Sequence, residues 1–190
     1  MGHREDLLEG AKRCLLEKGF VRTTARDIVK ESGANLASIG YHYGSKDALL
    51  AQAYLELVEG SSDAFEQGGL TAPAGSLERF QEVWSNVIES LGKPGSMWHL
   101  GMELVVMGDK LPGVREIVAR AQVEGGRGII PLFMGGEEPP ADHPAVGTLG
   151  KFYMTLMTGL IAEYMLDPES APSAEELTEG LRRVITASEA

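Results

Sequence analysis

Apolar residues recur at three- and four-residue spacing along almost all of this chain, and no run alternates with the two-residue period of a half-buried strand. That pattern leads to an all-α fold. Leu7, Leu8, Ala11, Leu15 and Leu16 draw the first apolar face, on a helix that Gly19 stops. Thr24 with Asp27 three residues on has the form of a capping box, Asp standing in the Glu position. The short helix it opens turns Ile28 and Val29 inward and ends at Gly33. Asn35 caps a second short helix, Leu36 to about Tyr43. Ser45 caps a longer one bearing Leu49, Leu50, Ala53, Tyr54, Leu57 and Val58, with Asp47 in the first turn, where the helix dipole favours a negative charge.

Beyond a Gly/Pro loop over 68–75, Ser76 caps a helix with Leu77, Phe80, Val83, Trp84, Val87, Ile88 and Leu91 on its inner side. Pro94 opens a helix to about Met107, and Pro112 opens another. Gly125, Gly126, Gly128 and Pro131 weaken the far half of that one. Residues 135–144 form a loop, Pro144 to about Leu166 a long apolar helix, and Ser173 caps the last helix. The expected count is about nine helices.

With 190 residues the chain has room for one or two small domains. An apolar content of 43% is enough to bury a core. No stretch approaches the roughly 18 apolar residues of a membrane span, and the N-terminus has no apolar leader, so a cytoplasmic protein without membrane contact is expected. The single cysteine, Cys14, reads as a small apolar filler and excludes an internal disulfide. The net charge of −11 is unevenly placed: residues 1–50 hold 8 basic and 7 acidic side chains, and the remainder holds 9 and 21. If an anion such as DNA is bound, the first fifty residues must bind it.

Residues 24–43 have the grammar of a helix-turn-helix: a capped short helix, a tight turn at Gly33 where a positive φ suits glycine, and a second short helix. The second helix displays Asn35, Leu36, Ala37, Ser38, Tyr41 and His42, short or hydrogen-bonding groups suited to a major groove. Leu36 and Ala37 can pack on a thymine methyl, and Ser38 can serve base or phosphate. Thr24 and Lys46 flank the motif at helix N-termini, where backbone N–H groups bind phosphate. Tyr43, aromatic at the helix end, reads as core.

The stretch TTARDIVKESGANLASIGYHYGSKDALL resembles the DNA-binding head of TetR-family transcriptional regulators. The family's Thr, Ile-Ala pair, Ala-Gly turn, recognition helix, aromatic close and Lys-acidic-x-Leu opening correspond to Thr24, Ile28-Val29, Ser32-Gly33, Asn35 to Tyr43 and Lys46-Asp47-Ala48-Leu49. The likeness covers about residues 5–58. Gly40 stands where the family commonly has a Tyr, with Tyr41 beside it. The resemblance implies that Arg26, Leu36, Ala37, Ser38, Tyr41, His42 and Lys46 lie at the DNA surface. It also implies a DNA-binding domain over 1–45 and an effector-binding and dimerisation domain over 46–190.

The candidate lining of an effector pocket is Trp84, Met97, Trp98, His99, Met102, Met107, Phe133, Met134 and Met157, since Met and aromatic side chains shape adaptable apolar cavities. Few basic residues lie near them, which favours a neutral or cationic apolar effector over a polyanion. Leu149, Tyr153, Leu156 and Leu160 with Leu177, Leu181 and Val184 offer apolar faces that either pair with their copies as a four-helix bundle or close the chain's own core. A two-fold dimer presents two heads to a pseudo-palindromic operator. His99 and Glu103 share a helix face four residues apart, but two ligands do not make a metal site. The run from Gly40 to Lys46 is one residue short of a phosphate-binding loop and follows no strand. No catalytic constellation, cofactor or metal is expected. The function expected is a repressor released by a small molecule. The alternatives are a regulator without an effector, an activator, and an all-α ligand carrier or enzyme.

Overall fold

The computed structural model describes residues 3–60, 69–93, 98, 100–103 and 114–188. Among these there is no strand, and nine helical segments are present. They are α1 (His3–Arg22), α2 (Ala25–Ser32), α3 (Leu36–Tyr43), α4 (Lys46–Glu59), α5 (Leu77–Leu91), α6 (Val114–Met134), a π turn (Val146–Gly150), α7 (Lys151–Leu166) and α8 (Ala174–Ser188). The all-α expectation holds. The chain divides into two compact units, residues 1–61 with 95–122 and residues 62–94 with 123–190. No helix among the described residues is long and apolar enough to cross a membrane.

In the first unit α1 packs on α2 and α4. Its core is mostly aliphatic, with Leu7, Ala11, Leu15, Ile28, Leu49 and Leu50 wholly removed from solvent and Phe20 buried among them. Leu49, Leu50 and Ala53 come from α4 and Leu100 from far downstream, so residues beyond 45 complete the core of the head. Cys14 is buried there as an apolar filler, and burial pushes its thiol pKa up. The first helix runs past its expected stop to Arg22, but Gly19 (φ 77°, ψ 176°) breaks it, so Phe20–Arg22 form a separate turn. That backbone region is open essentially to glycine alone.

The second unit has an aromatic core, with α5 packed on α8. Phe133 is its hub. The ring stacks on Tyr153 with centroids 3.9 Å apart, and those of Phe80 and Trp84 each lie 5.6 Å from it. The end of α6, left open by its sequence, lies at Met134, and the helix runs unbroken through its glycines and Pro131. The glycines serve a close backbone approach. A Cβ on Gly150 would stand 2.9 Å from the Gly126 carbonyl oxygen, and one on Gly126 would stand 3.5 Å from the Gly150 Cα. Tertiary packing here outweighs the weak helix propensity of glycine. The helix expected from Pro144 begins as the π turn and becomes α-helical at Lys151. Ser173 and Glu176 cap α8 reciprocally.

Candidate nucleic-acid interface

Every helix of the motif starts on a side-chain cap. The Thr24 hydroxyl accepts the Asp27 N–H at 3.2 Å, and the Asp27 carboxylate accepts the Thr24 N–H at 2.9 Å, completing the expected box. The Gly33 N–H donates to the Val29 carbonyl at 3.0 Å, and Gly33 adopts the expected left-handed turn (φ 70°). Asn35 Oδ1 accepts the Ser38 N–H at 3.0 Å, and Ser45 Oγ accepts the Ala48 N–H at 3.0 Å. Each cap satisfies a backbone donor that a bare helix start would leave open.

Ion pairs hold the motif to α1. Lys18 Nζ lies 2.7 Å from Asp27 Oδ1, and Arg13 Nε lies 2.7 Å from Glu31 Oε1. Lys18, with the Thr24 hydroxyl and N–H, holds the Asp27 carboxyl well below the usual carboxylate range. The same hydrogen bond raises the Lys18 pKa.

These contacts present one face of α3 to solvent. Ile39 points into the core, whereas Leu36 is 57% and Tyr41 86% exposed. Arg26, Asn35 and Ala37 are also exposed, and Ser38 and His42 are half-buried. The Tyr41 and His42 rings meet edge to face, 4.9 Å between centroids. A large apolar group and a phenol held in water on a helix without an acidic residue form a surface that fits the apolar and polar edges of a major groove.

Two flanking residues have internal duties. Thr24 is engaged in its cap, and Lys46 Nζ donates to the Thr23 carbonyl at 3.1 Å beside Asp47 Oδ1, also at 3.1 Å. An ammonium has three donors, so one remains for a phosphate. Tyr43, expected in the core, is half-buried; its hydroxyl donates to the Arg4 carbonyl at 2.8 Å and the Arg4 guanidinium lies 5.7 Å from its ring centre. The sequence reading missed Arg4 and Lys18, which anchor the motif from α1. It also missed the role of Glu103, whose carboxylate accepts the N–H groups of Phe20 and Val21.

Residues 7–53 match the family model described as bacterial regulatory proteins, tetR family. That match covers the head alone. The HTH-type transcriptional repressor AcnR of Corynebacterium efficiens is 33% identical over 76 residues, so the match spans about two fifths of each protein. Solved structures of similar fold cover nearly the whole chain. The multidrug binding protein EbrR complexed with proflavin superposes with a TM-score of 0.69 at 20% identity, over 96% of this chain and 99% of that one. A TetR-family member from Streptomyces coelicolor A3 gives 0.61 at 19% identity, over 96% and 98%.

The residues expected to line an effector pocket divide between the units. Trp84, Phe133 and Met157 are buried in the second, where Trp84 and Phe133 are neighbours. Met134, on the same helix as Phe133, is exposed. Trp98 and Met102 are half-buried in the first unit. Met97, His99 and Met107 lie outside the described residues. Among the described residues Trp84 Nε1 is buried with no hydrogen-bond acceptor, and the Tyr153 hydroxyl meets the Met134 sulfur, at 3.8 Å.

Of the expected dimer residues, Tyr153 and Leu160 are instead buried in the unit's own core, Tyr153 by its stack on Phe133. Leu149, Leu156, Leu177 and Leu181 are half-buried and Val184 is 68% exposed.

Proposed function

We propose that this chain is a sequence-specific DNA-binding repressor that acts as a homodimer and leaves its operator when a small apolar molecule binds. The observation that carries the reading is the α3 face: Leu36 and Tyr41 stand exposed on a capped helix-turn-helix in a head that matches the tetR family model. Residues within 1–45 read the DNA, through Arg26, Leu36, Ala37, Ser38, Tyr41 and His42, with phosphate contacts from the free donor of Lys46 and the N-terminus of α2 at Thr24. Residues 46–190 supply the effector site and the second subunit's contacts.

Support for an effector comes from the aromatic cluster of Phe80, Trp84, Phe133 and Tyr153. Trp84 Nε1 has no acceptor among the described residues; a buried donor left so costs about 1–3 kcal/mol, and a ligand carrying an acceptor removes that cost. The planar aromatic proflavin held by EbrR, which shares this fold, agrees with an apolar, ring-bearing ligand. Support for a dimer comes from the half-exposed row Leu177, Leu181 and Val184 on α8 with Leu149 and Leu156 near and on α7. The ligand shifts the protein off DNA only if it binds the DNA-incompetent arrangement more tightly.

Selection from a pool of random duplexes with the full chain tests the reading. Enrichment of a two-fold palindrome is the expected result, and a pool that stays random after repeated rounds rejects it.

A further inference from the structure

Within the first unit, residues 100–103 dock on α1 and α4 at three points. Leu100 enters the aliphatic core beside residues of α1 and α4. At Gly101 the backbone lies against α4, since a Cβ there would stand 2.8 Å from the Tyr54 hydroxyl. Burial pushes the Tyr54 phenol up to about 12, so it stays neutral at that contact. Glu103 then reaches α1: its Oε2 accepts the Phe20 N–H at 2.6 Å and the Val21 N–H at 3.3 Å.

The site that receives Glu103 is made for a carboxylate. Gly19 is the residue that breaks α1, and a Cβ on it would stand 2.6 Å from Glu103 Oε1. A glycine is therefore required twice over, by its backbone conformation and by the oxygen beside it. Bonds from backbone N–H groups to a carboxylate are charge-assisted and short, stronger than neutral ones.

The turn so held is the elbow from which the DNA-reading motif issues. Immediately after it the Thr23 hydroxyl donates to the Gly19 carbonyl at 2.7 Å and to the Cys14 carbonyl at 3.2 Å. The Thr23 carbonyl takes Lys46, and Thr24 caps α2. Glu103 thus closes a continuous set of hydrogen bonds running from residues 100–103 through the elbow to the start of α2 and of α4. We infer that Glu103 is a positioning residue for operator recognition, fixing the elbow between α1 and α2 and with it the direction in which α3 meets DNA. The inference rests on the DNA-binding reading above. Its consequence is selective. Phosphate attraction tolerates a range of head orientations, whereas base reading needs one.

The test uses the full chain with Glu103→Ala, Glu103→Gln and Glu103→Asp. Three quantities are measured: amide exchange at Phe20 and Val21, affinity for the selected palindrome, and affinity for a random-sequence duplex. Glu103→Ala is expected to speed exchange at both amides and to weaken the palindrome complex, each by about ten-fold, with random-duplex affinity unchanged. Gln keeps an acceptor oxygen without the charge and restores both values in part. Asp, one methylene shorter, falls between them and carries the test if Ala does not fold. An unchanged ratio of palindrome to random affinity, despite faster exchange, overturns the inference. Parallel loss on both duplexes together with a lower Tm also overturns it, as that is a purely structural role. If the wild-type chain enriches no palindrome, the underlying reading fails and the inference falls with it.

Discussion

In the first unit α2, α3 and α4 each begin on a side-chain cap, ion pairs join α1 to α2, and Leu and Ile dominate the core around Phe20. In the second, α5 and α8 are capped by Ser76 and by Ser173 with Glu176, but α7 rises from a π turn with no side-chain cap, α6 carries three glycines and a proline, and four aromatic rings meet in the core. Local polar geometry sets the start of each helix of the helix-turn-helix and of α4, whereas the join of α6 to α7 depends on contacts between distant residues. The first arrangement suits a rigid surface whose task is to hold α3 in one place. The second leaves a buried indole N–H without a partner among the described residues and a helix start uncapped, which suits the ligand-binding role proposed for it above.

The largest expected effect strikes the second unit at its hub. Phe133→Ala removes the ring shared by Phe80, Trp84 and Tyr153 and is expected to cost roughly 3–5 kcal/mol in urea unfolding. A loss under 1 kcal/mol would mean that the aromatic cluster does not hold the unit together. Next is Gly150→Ala, which sets a methyl against the Gly126 carbonyl. Overpacking of this kind costs about 1–3 kcal/mol, whereas glycine replacement at an open helical site stabilises. A rise in Tm would show that the backbones need not approach so closely. In the head, Thr24→Ala is expected to cost about 0.5–2 kcal/mol, with Thr24→Ser close to wild type.

The smallest effect is one of pH. The Asp27 pKa is depressed in the folded head, by Lys18 first and Thr24 second, so its stabilisation is complete above the unfolded carboxylate value of roughly 4. It is lost as pH falls from there through the lower folded value. Asp27→Asn should flatten the acid limb of head stability, followed by head-specific amide exchange between about pH 5 and pH 2. An unchanged limb would assign the acid sensitivity to other carboxylates.

The same contrast governs what the sequence discloses. Thr24 with Asp27, Gly33, Asn35 and Ser45 are signals within four residues of what they control, so the head's helices and turn are legible. So is the exposed set on α3, because Ile39 is drawn into the core and Tyr43 packs against it at the helix end. In α6 the glycines read as weakness, because their partner Gly150 lies more than twenty residues away and no local rule links them. Tyr153 and Leu160 read as interface for a related reason, since periodicity marks an apolar face without saying what covers it. Glu103 offered no signal beyond its spacing from His99. Its true partners are backbone N–H groups 82 and 83 residues distant, exposed by a break at Gly19 that the sequence shows only as a stop.

The most direct test of the account is equilibrium binding of the full chain to the selected palindrome and to a scrambled duplex over a salt series, with Leu36→Ala and Tyr41→Ala alongside. The account predicts that both complexes weaken steeply as salt rises and that the palindrome is favoured by on the order of a thousand-fold or more. It further predicts that each substitution lowers that preference while leaving the scrambled duplex unaffected. Equal affinity for the two duplexes at every salt concentration, or a preference untouched by both substitutions, would contradict the claim that α3 reads DNA.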